Sequence, residues 1–170
     1  MSPPLRRFAL SVHLTCSVGW IGAVLAYIAL GVTAKTGDPE TVRGAWTGIE
    51  VIGWYVLVPM ALSSWATGLV MSLGSRWGLL RYYWVLFAFV LTTLATVILI
   101  AHMPDVSSAA AAVRTANPQD LDQYGGDLFH AVLALVLLLV IQVLNLYKPP
   151  GMTPYGWRKN QRERLARSAA

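Results

Sequence analysis

The chain has few charged residues and a single cysteine, and each scarcity excludes a class of protein. Charged residues make up 12% of its 170 residues, about half of the roughly 25% that an average soluble domain carries. Cys16 has no second cysteine to pair with, which excludes an internal disulfide framework. Hydrophobic residues reach 56% of the chain. The composition therefore indicates a membrane protein and not a soluble domain.

Four long apolar segments lie at about 8–32, 46–73, 82–103 and 128–147. Each approaches or exceeds the roughly 20 residues that a helix needs to cross about 30 Å of hydrocarbon. Helices are expected because each backbone polar group in the bilayer must be hydrogen-bonded within its own segment. We therefore predict an all-α fold. It is a single integral membrane four-helix bundle formed by residues 1–150, and the remaining residues, 151–170, form a basic tail.

The third connection is predicted to run from Pro104 to Gly126. The alanine run at 109–112 favours a short surface helix within it. Asn117 followed by Pro118 is a typical helix start, with a capping side chain and a proline at the first helical position.

Basic and acidic residues fall on opposite sides of the predicted membrane. Ten of the thirteen basic residues lie before the first span, between the second and third spans, or after the fourth. Seven of the eight acidic residues lie in the other two connections or at the span ends beside them. Cytoplasmic loops of membrane proteins are enriched in Lys and Arg. We therefore predict an antiparallel up-down-up-down bundle in a bacterial plasma membrane, with both termini cytoplasmic.

The basic residues after the fourth span predict a lipid partner. They are Lys148, Arg158, Lys159, Arg162, Arg164 and Arg167. Basic clusters next to a membrane span usually contact anionic headgroups, so we expect contact with lipid and not with nucleic acid. Another membrane protein or a second copy of the chain is a further expected partner, for which the sequence identifies no surface.

All three histidines lie within or at the ends of the apolar segments. Ionisable side chains are costly there and are functional candidates for that reason. Counting residues at 1.5 Å each places His13 about 9 Å inward from the cytoplasmic arginines. The same count places His102 and His130 near the outer surface on neighbouring helices. Because His13 lies in the opposite leaflet, we do not expect one metal ion to bind all three histidines.

Glu50, His102 and His130 are predicted to form an outer group, with Asp105 and Asp127 nearby in the sequence. Two imidazoles from facing helices can ligate haem iron or a metal ion. A carboxylate can orient one imidazole through its second nitrogen. The alternative is a pair of interfacial histidines that bond to loop carbonyls and water. The sequence leaves both interpretations open because it does not show which way the side chains face.

His13, Cys16 and Trp20 are spaced by three and four residues, which places them on one helix face. His13 is a candidate for a second ligand site or for proton exchange, and the alternative is a histidine that bonds a neighbouring serine or threonine. Cys16 is predicted to be a small packing residue. A copper site would use Cys16, Met103 and Glu50 together with the histidines, although His13 and Cys16 alone supply too few ligands.

Several short motifs are shared with a family of bacterial membrane proteins. They are His13-x5-Gly19-Trp20-x-Gly22, the Thr36-Gly37-Asp38-Pro39-Glu40 loop, Pro59 with Thr67-Gly68-Leu69, Trp77-Gly78-Leu79 before Tyr83-Trp84, and Tyr147-Lys148-Pro149. With these motifs the chain resembles, over most of its length, a family of bacterial four-helix integral membrane proteins that has no assigned function.

The first-helix motif is more distantly similar to two other groups. These are the copper-resistance membrane domain and the haem-associated J-type protoporphyrinogen oxidase. In that oxidase family a first-helix histidine is tied to haem, which by resemblance points to His13. Ala88 stands in the part of the third span where the oxidase pattern has a basic residue. The resemblance therefore implies haem binding more than it implies the oxidase reaction.

The leading functional prediction is a membrane protein that binds b-type haem within its bundle and serves electron transfer or haem handling. His102 and His130 are the favoured axial pair because their predicted depths agree. The alternatives are a copper-binding or copper-transport protein and an accessory or scaffold subunit without a cofactor. The sequence identifies no reaction and hence no catalytic residue.

Overall fold

The computed structural model describes residues 2–75, 77–125 and 127–168, so Arg76 and Gly126 lie outside the described residues. Within these ranges the chain is helical, without a β-strand, which confirms the predicted all-α class. We number the five helices in chain order: α1 Pro3–Thr36, α2 Pro39–Gly74, α3 Tyr83–Thr115, α4 Leu128–Tyr147 and α5 Pro154–Ser168.

Four segments are long and apolar enough to cross a membrane, in agreement with the number predicted. They are α1, α2, α3 and the segment Pro118–Tyr147, which contains α4. In the most apolar part of each segment, only 17–28% of the residues are buried inside the protein. Much of the apolar surface therefore faces outward, which is the arrangement expected of helices in contact with lipid.

The start of α2 follows from its capping residue. The Asp38 carboxylate accepts hydrogen bonds from the backbone N–H groups of Glu40 and Thr41, each at 3.0 Å. Pro39 follows at the first helical position, where its missing N–H is not needed. The hydrogen bonds from Thr41, through its backbone and then its hydroxyl, lower the pKa of Asp38.

The middle of α2 contains a π-helical turn, Gly53–Leu57, shortly before Pro59. A proline inside a helix removes one backbone hydrogen bond, and π turns are a common adjustment of helical geometry. Gly53 in this turn packs against Met103 of α3. A Cβ atom at Gly53 would lie 2.5 Å from the Met103 Cε atom. The turn therefore lets α2 approach α3 beside His102.

Helix α3 continues through Pro104 to Thr115, so the prediction that a connection begins at Pro104 was wrong. The last turns of α3 bury Ala110 and Val113 completely, each at 0% exposure. Burial of this apolar face offsets the hydrogen bond that Pro104 cannot make. The alanine run therefore belongs to α3 and not to a separate surface helix.

The connection between α3 and α4 is held against α2. Arg43 Nη2 donates to the carbonyl of Ala116 at 2.7 Å, and Trp46 Nε1 donates to the carbonyl of Tyr124 at 3.1 Å. Between these two points the chain forms a 3₁₀ turn, Pro118–Gln123. The predicted start at Asn117 and Pro118 thus initiates this turn, and α4 itself begins at Leu128.

The basic tail forms α5, which contacts the connection between α2 and α3. Thr153 Oγ1 donates to the carbonyl of Leu80 at 2.5 Å, and Thr153 N–H donates to the carbonyl of Arg81 at 3.0 Å. The Arg81 side chain also forms an ion pair with Glu163 at 2.5 Å. Residues that the charge pattern placed on the same side of the membrane are therefore in direct contact.

Candidate functional site

The C-terminal half of α3 and the first turn of α4 bring two histidines together. The ring centroids of His102 and His130 are 4.3 Å apart, with their planes inclined by 34°. Asp127 occupies the N-cap position of α4, three residues before His130, and its side chain makes no capping hydrogen bond there. The structure therefore confirms that His102 and His130 are neighbours. It also shows that the two side chains face each other, because their rings are in contact.

A single carboxylate holds both imidazoles. His102 Nε2 lies 2.5 Å from Asp127 Oδ2, and His130 Nδ1 lies 2.9 Å from Asp127 Oδ1. The hydroxyl of Tyr27 in α1 donates to Asp127 Oδ2 at 3.3 Å. An ionised carboxylate only accepts hydrogen bonds, so each imidazole donates through the named nitrogen. As neutral rings, His102 keeps a lone pair on Nδ1 and His130 keeps one on Nε2.

Among the described residues, these three side chains form the one group of three or more His, Cys, Asp or Glu residues close enough to hold a metal ion. Taking one ligand atom from each of His102, Asp127 and His130, all three atoms lie within 4.8 Å of one another. Ligands at about 2.0–2.2 Å from a zinc ion in a tetrahedral site lie about 3.3–3.6 Å from one another. Side-chain movements of up to about 1.5 Å would therefore place all three around one ion.

The cluster is closed on the side of α1 and open on the side of His130. The Asp127 side chain is 14% exposed and that of His102 is 24% exposed, whereas that of His130 is 50% exposed. Asp105, one turn beyond His102, is 81% exposed, and its carboxylate is 3.9 Å from His102 Nδ1. Three ligands with an open side resemble the arrangement of metal sites that keep a position for water or another molecule.

A haem between His102 and His130 does not fit this arrangement. Axial ligands bind on opposite faces of the porphyrin, so the macrocycle would have to lie between two rings that are in contact and bonded to one carboxylate. The apolar cavity that adjoins the cluster, lined by Tyr27, Met103 and Leu137 among others, has a volume of about 100 Å³. The donor set instead suits a single ion of the zinc and copper class.

Glu50 lies outside this cluster, although the sequence predicted it as part of the outer group. Its carboxylate accepts a hydrogen bond from Arg114 Nη1 at 2.8 Å. Arg114 reaches Glu50 because α3 continues for more than two turns beyond Pro104. Asp127, and not Glu50, is the carboxylate that orients the imidazoles. The sequence feature that could have indicated this role is its spacing of three residues from His130.

His13 and Cys16 also lie apart from the cluster. His13 Nδ1 is 3.0 Å from Thr67 Oγ1, which itself donates to the carbonyl of Ser63 at 2.6 Å. The one hydroxyl proton of Thr67 is thereby used, so His13 Nδ1 is the donor to Thr67. The sequence left a hydrogen bond from His13 to a serine or threonine as the alternative to a ligand role, and this is such a bond. Cys16 is a half-buried free cysteine.

The fold and this cluster define a helical bundle suited to a membrane, with a His–Asp–His group at one end. Comparisons with protein-family models, curated proteins and solved structures found no match to this chain. The resemblance to the bacterial four-helix family therefore stays a prediction, and the function has to be inferred from the chemistry of the site.

Proposed function

We propose that this chain is an integral membrane protein that binds one divalent transition-metal ion through His102, Asp127 and His130. The observation that supports the proposal is the Asp127 carboxylate, which bonds to both imidazoles at 2.5 and 2.9 Å. Two nitrogen donors and one carboxylate oxygen form a ligand set typical of zinc and Cu²⁺. The protein would take up, hold or hand over the ion at the open side of His130.

The proposed orientation is an antiparallel up-down-up-down bundle in a bacterial plasma membrane, with both termini in the cytoplasm. The supporting observation is the charge distribution, since seven of eight acidic residues lie at the end that contains the cluster. Acidic side chains at a site entrance attract cations. The exposed cations of α5 would contact anionic headgroups on the cytoplasmic side.

Metal binding is tested on the purified protein in lipid nanodiscs after chelator treatment. We expect one equivalent of Zn²⁺ or Cu²⁺ to bind in a calorimetric titration. Changes to groups around a metal ligand already cost 10- to 100-fold in affinity, so His130→Ala should weaken binding by at least about 100-fold. His13→Ala is the matched control, since His13 lies outside the cluster, and its metal affinity should equal that of the unaltered protein.

The same preparation separates the proposal from its alternatives. Equal metal affinity in His130→Ala and the unaltered protein would contradict the proposed site. A Soret band in protein made with full haem supply, lost in His130→Ala, would instead support b-type haem and electron transfer. If neither metal nor haem binds, the accessory or scaffold role is favoured.

A further inference from the structure

A second cavity lies at the other ends of α3 and α4, away from the His102–Asp127–His130 cluster. Its volume is about 370 Å³, within the range of small-molecule sites. It is lined by residues from four helices, including His13 of α1, Ser64 of α2, Ala88 of α3 and Gln142 of α4. The proposed metal site uses none of these residues, so the cavity requires its own explanation.

The cavity combines an apolar, aromatic wall with cations. Trp65, Trp77, Trp84 and Phe89 supply the aromatic part of its lining. Arg6 and Lys148 supply two positive charges, and the described lining contains no acidic residue to balance them. Lys148 follows the end of α4 in the left-handed conformation, with φ of 47°, and its Nζ lies 5.7 Å from the Trp77 ring centroid. An anionic ligand would compensate this charge.

One wall residue also has an unused hydrogen-bond donor. Trp84 is only 8% exposed, and its indole N–H has no hydrogen-bond partner among the described residues. Buried polar groups are normally hydrogen-bonded, and leaving one unpaired is destabilising. The nitrogen is itself buried, so an oxygen-rich group in the cavity would become its acceptor after a small shift of the Trp84 ring.

We propose that this cavity binds an anionic amphiphile, specifically a lipid with a phosphate monoester headgroup. The phosphate would be held by Arg6 and Lys148, and its oxygens would accept from Trp84. Phosphate oxygens are strong acceptors, and their bonds to cationic donors are stronger than those between neutral groups. The aromatic wall favours a lipid over free inorganic phosphate, because it offers apolar surface that only an acyl chain can cover.

The test uses tryptophan fluorescence, because three tryptophans line the cavity. The protein is reconstituted in phosphatidylcholine vesicles that contain a small fraction of brominated lipid, which quenches nearby tryptophans. We expect brominated phosphatidic acid to quench more strongly than brominated phosphatidylcholine at the same mole fraction. Tryptophans elsewhere in the chain report the surrounding lipid for both probes.

Two charge-matched double variants separate the cavity from general attraction to the basic tail. Arg6→Gln with Lys148→Gln should remove most of the excess quenching by phosphatidic acid. Arg158→Gln with Arg164→Gln removes the same charge from α5 and should leave the excess quenching in place. Equal losses in the two double variants would overturn the proposal.

Trp84→Phe keeps an aromatic ring without the donor, and it should weaken retention of phosphatidic acid in native mass spectrometry.

A competition experiment distinguishes lipid from free phosphate. Inorganic phosphate at millimolar concentration should not displace the brominated lipid, because it lacks the acyl chains. If it abolishes the excess quenching, the cavity is a site for a free anion and the lipid proposal is overturned. Quenching by brominated phosphatidylcholine that equals or exceeds quenching by brominated phosphatidic acid would overturn it as well, since the phosphatidylcholine headgroup carries no net charge.

Discussion

At the scale of single residues, Asp127 determines the chemistry of the histidine cluster. His102 comes from α3, His130 from α4 and Tyr27 from α1, and all three donate to the same carboxylate. Because a carboxylate only accepts, it fixes the protonated nitrogen of each ring. A metal ion bound by all three side chains would replace these two hydrogen bonds, and each imidazole would then carry its proton on the other ring nitrogen.

Replacing Asp127 by Asn tests this role directly. An amide has one acceptor oxygen and one donor nitrogen, so it cannot accept from both imidazoles, and the negative charge is lost. We expect the affinity for Zn²⁺ to fall by about 10- to 100-fold or more. The measurement is the calorimetric titration, combined with ¹⁵N NMR of the imidazoles, which reports the tautomer of each ring.

Asp105→Asn provides the control for this prediction. Asp105 is 81% exposed, and its carboxylate is 3.9 Å from His102 Nδ1, beyond hydrogen-bond distance. Exposed charge pairs contribute at most about 1 kcal/mol, so the affinity should change by less than about fivefold. A larger loss in Asp105→Asn than in Asp127→Asn would show that the carboxylates have the opposite roles.

At the scale of helices, a close backbone contact explains why the basic tail is held against the bundle. Gly156, near the start of α5, packs against the backbone of Arg81 in the connection between α2 and α3. A Cβ atom at this position would overlap the Arg81 carbonyl group. Only glycine allows this approach, which also places Glu163 within reach of the Arg81 side chain.

Gly156→Ala should therefore release α5 from the bundle. Overpacking against a backbone that cannot move costs about 1–3 kcal/mol, which would make opening of α5 about 5- to 150-fold more frequent. Hydrogen exchange of the α5 amides measures this change. Gly44→Ala in α2 is the matched control, because a Cβ atom there meets nothing within 4 Å, and α5 should exchange as before. Unchanged exchange in Gly156→Ala would mean that this contact does not hold the helix.

At the scale of the whole molecule, the number of apolar helices and the location of His102 and His130 at one end of the bundle were predictable from the sequence, whereas the contact between their rings was not. Both follow from the length of the apolar runs and from the alternating direction of successive spans. The continuation of α3 through Pro104 was not predictable, because it depends on the complete burial of Ala110 and Val113. The local sequence shows that Pro104 removes a backbone hydrogen bond, but only the packed structure shows the contacts that compensate for its loss.

The same limit explains the residues that sequence reasoning missed or misplaced. Glu50 is paired with Arg114 only because α3 is longer than predicted. Asp127 was visible as a neighbour of His130, but its contact with His102 depends on how the connection from α3 returns over α2. The cavity that contains Trp84 and Lys148 is assembled from the ends of four helices, and no periodicity within one helix indicates it.

The proposed orientation predicts that the two ends of the bundle face different compartments. Cys16→Ser removes the one native cysteine, and a new cysteine is then introduced either at Asp120 in the 3₁₀ turn or at Ser168 at the end of α5. With both termini in the cytoplasm, a membrane-impermeant maleimide added to intact cells should label the cysteine at position 120 and not the one at 168. Both should react after the membrane is permeabilised. Labelling at 168 and not at 120 in intact cells would place the His102–Asp127–His130 cluster on the cytoplasmic side, and the proposed ion would then come from the cell interior.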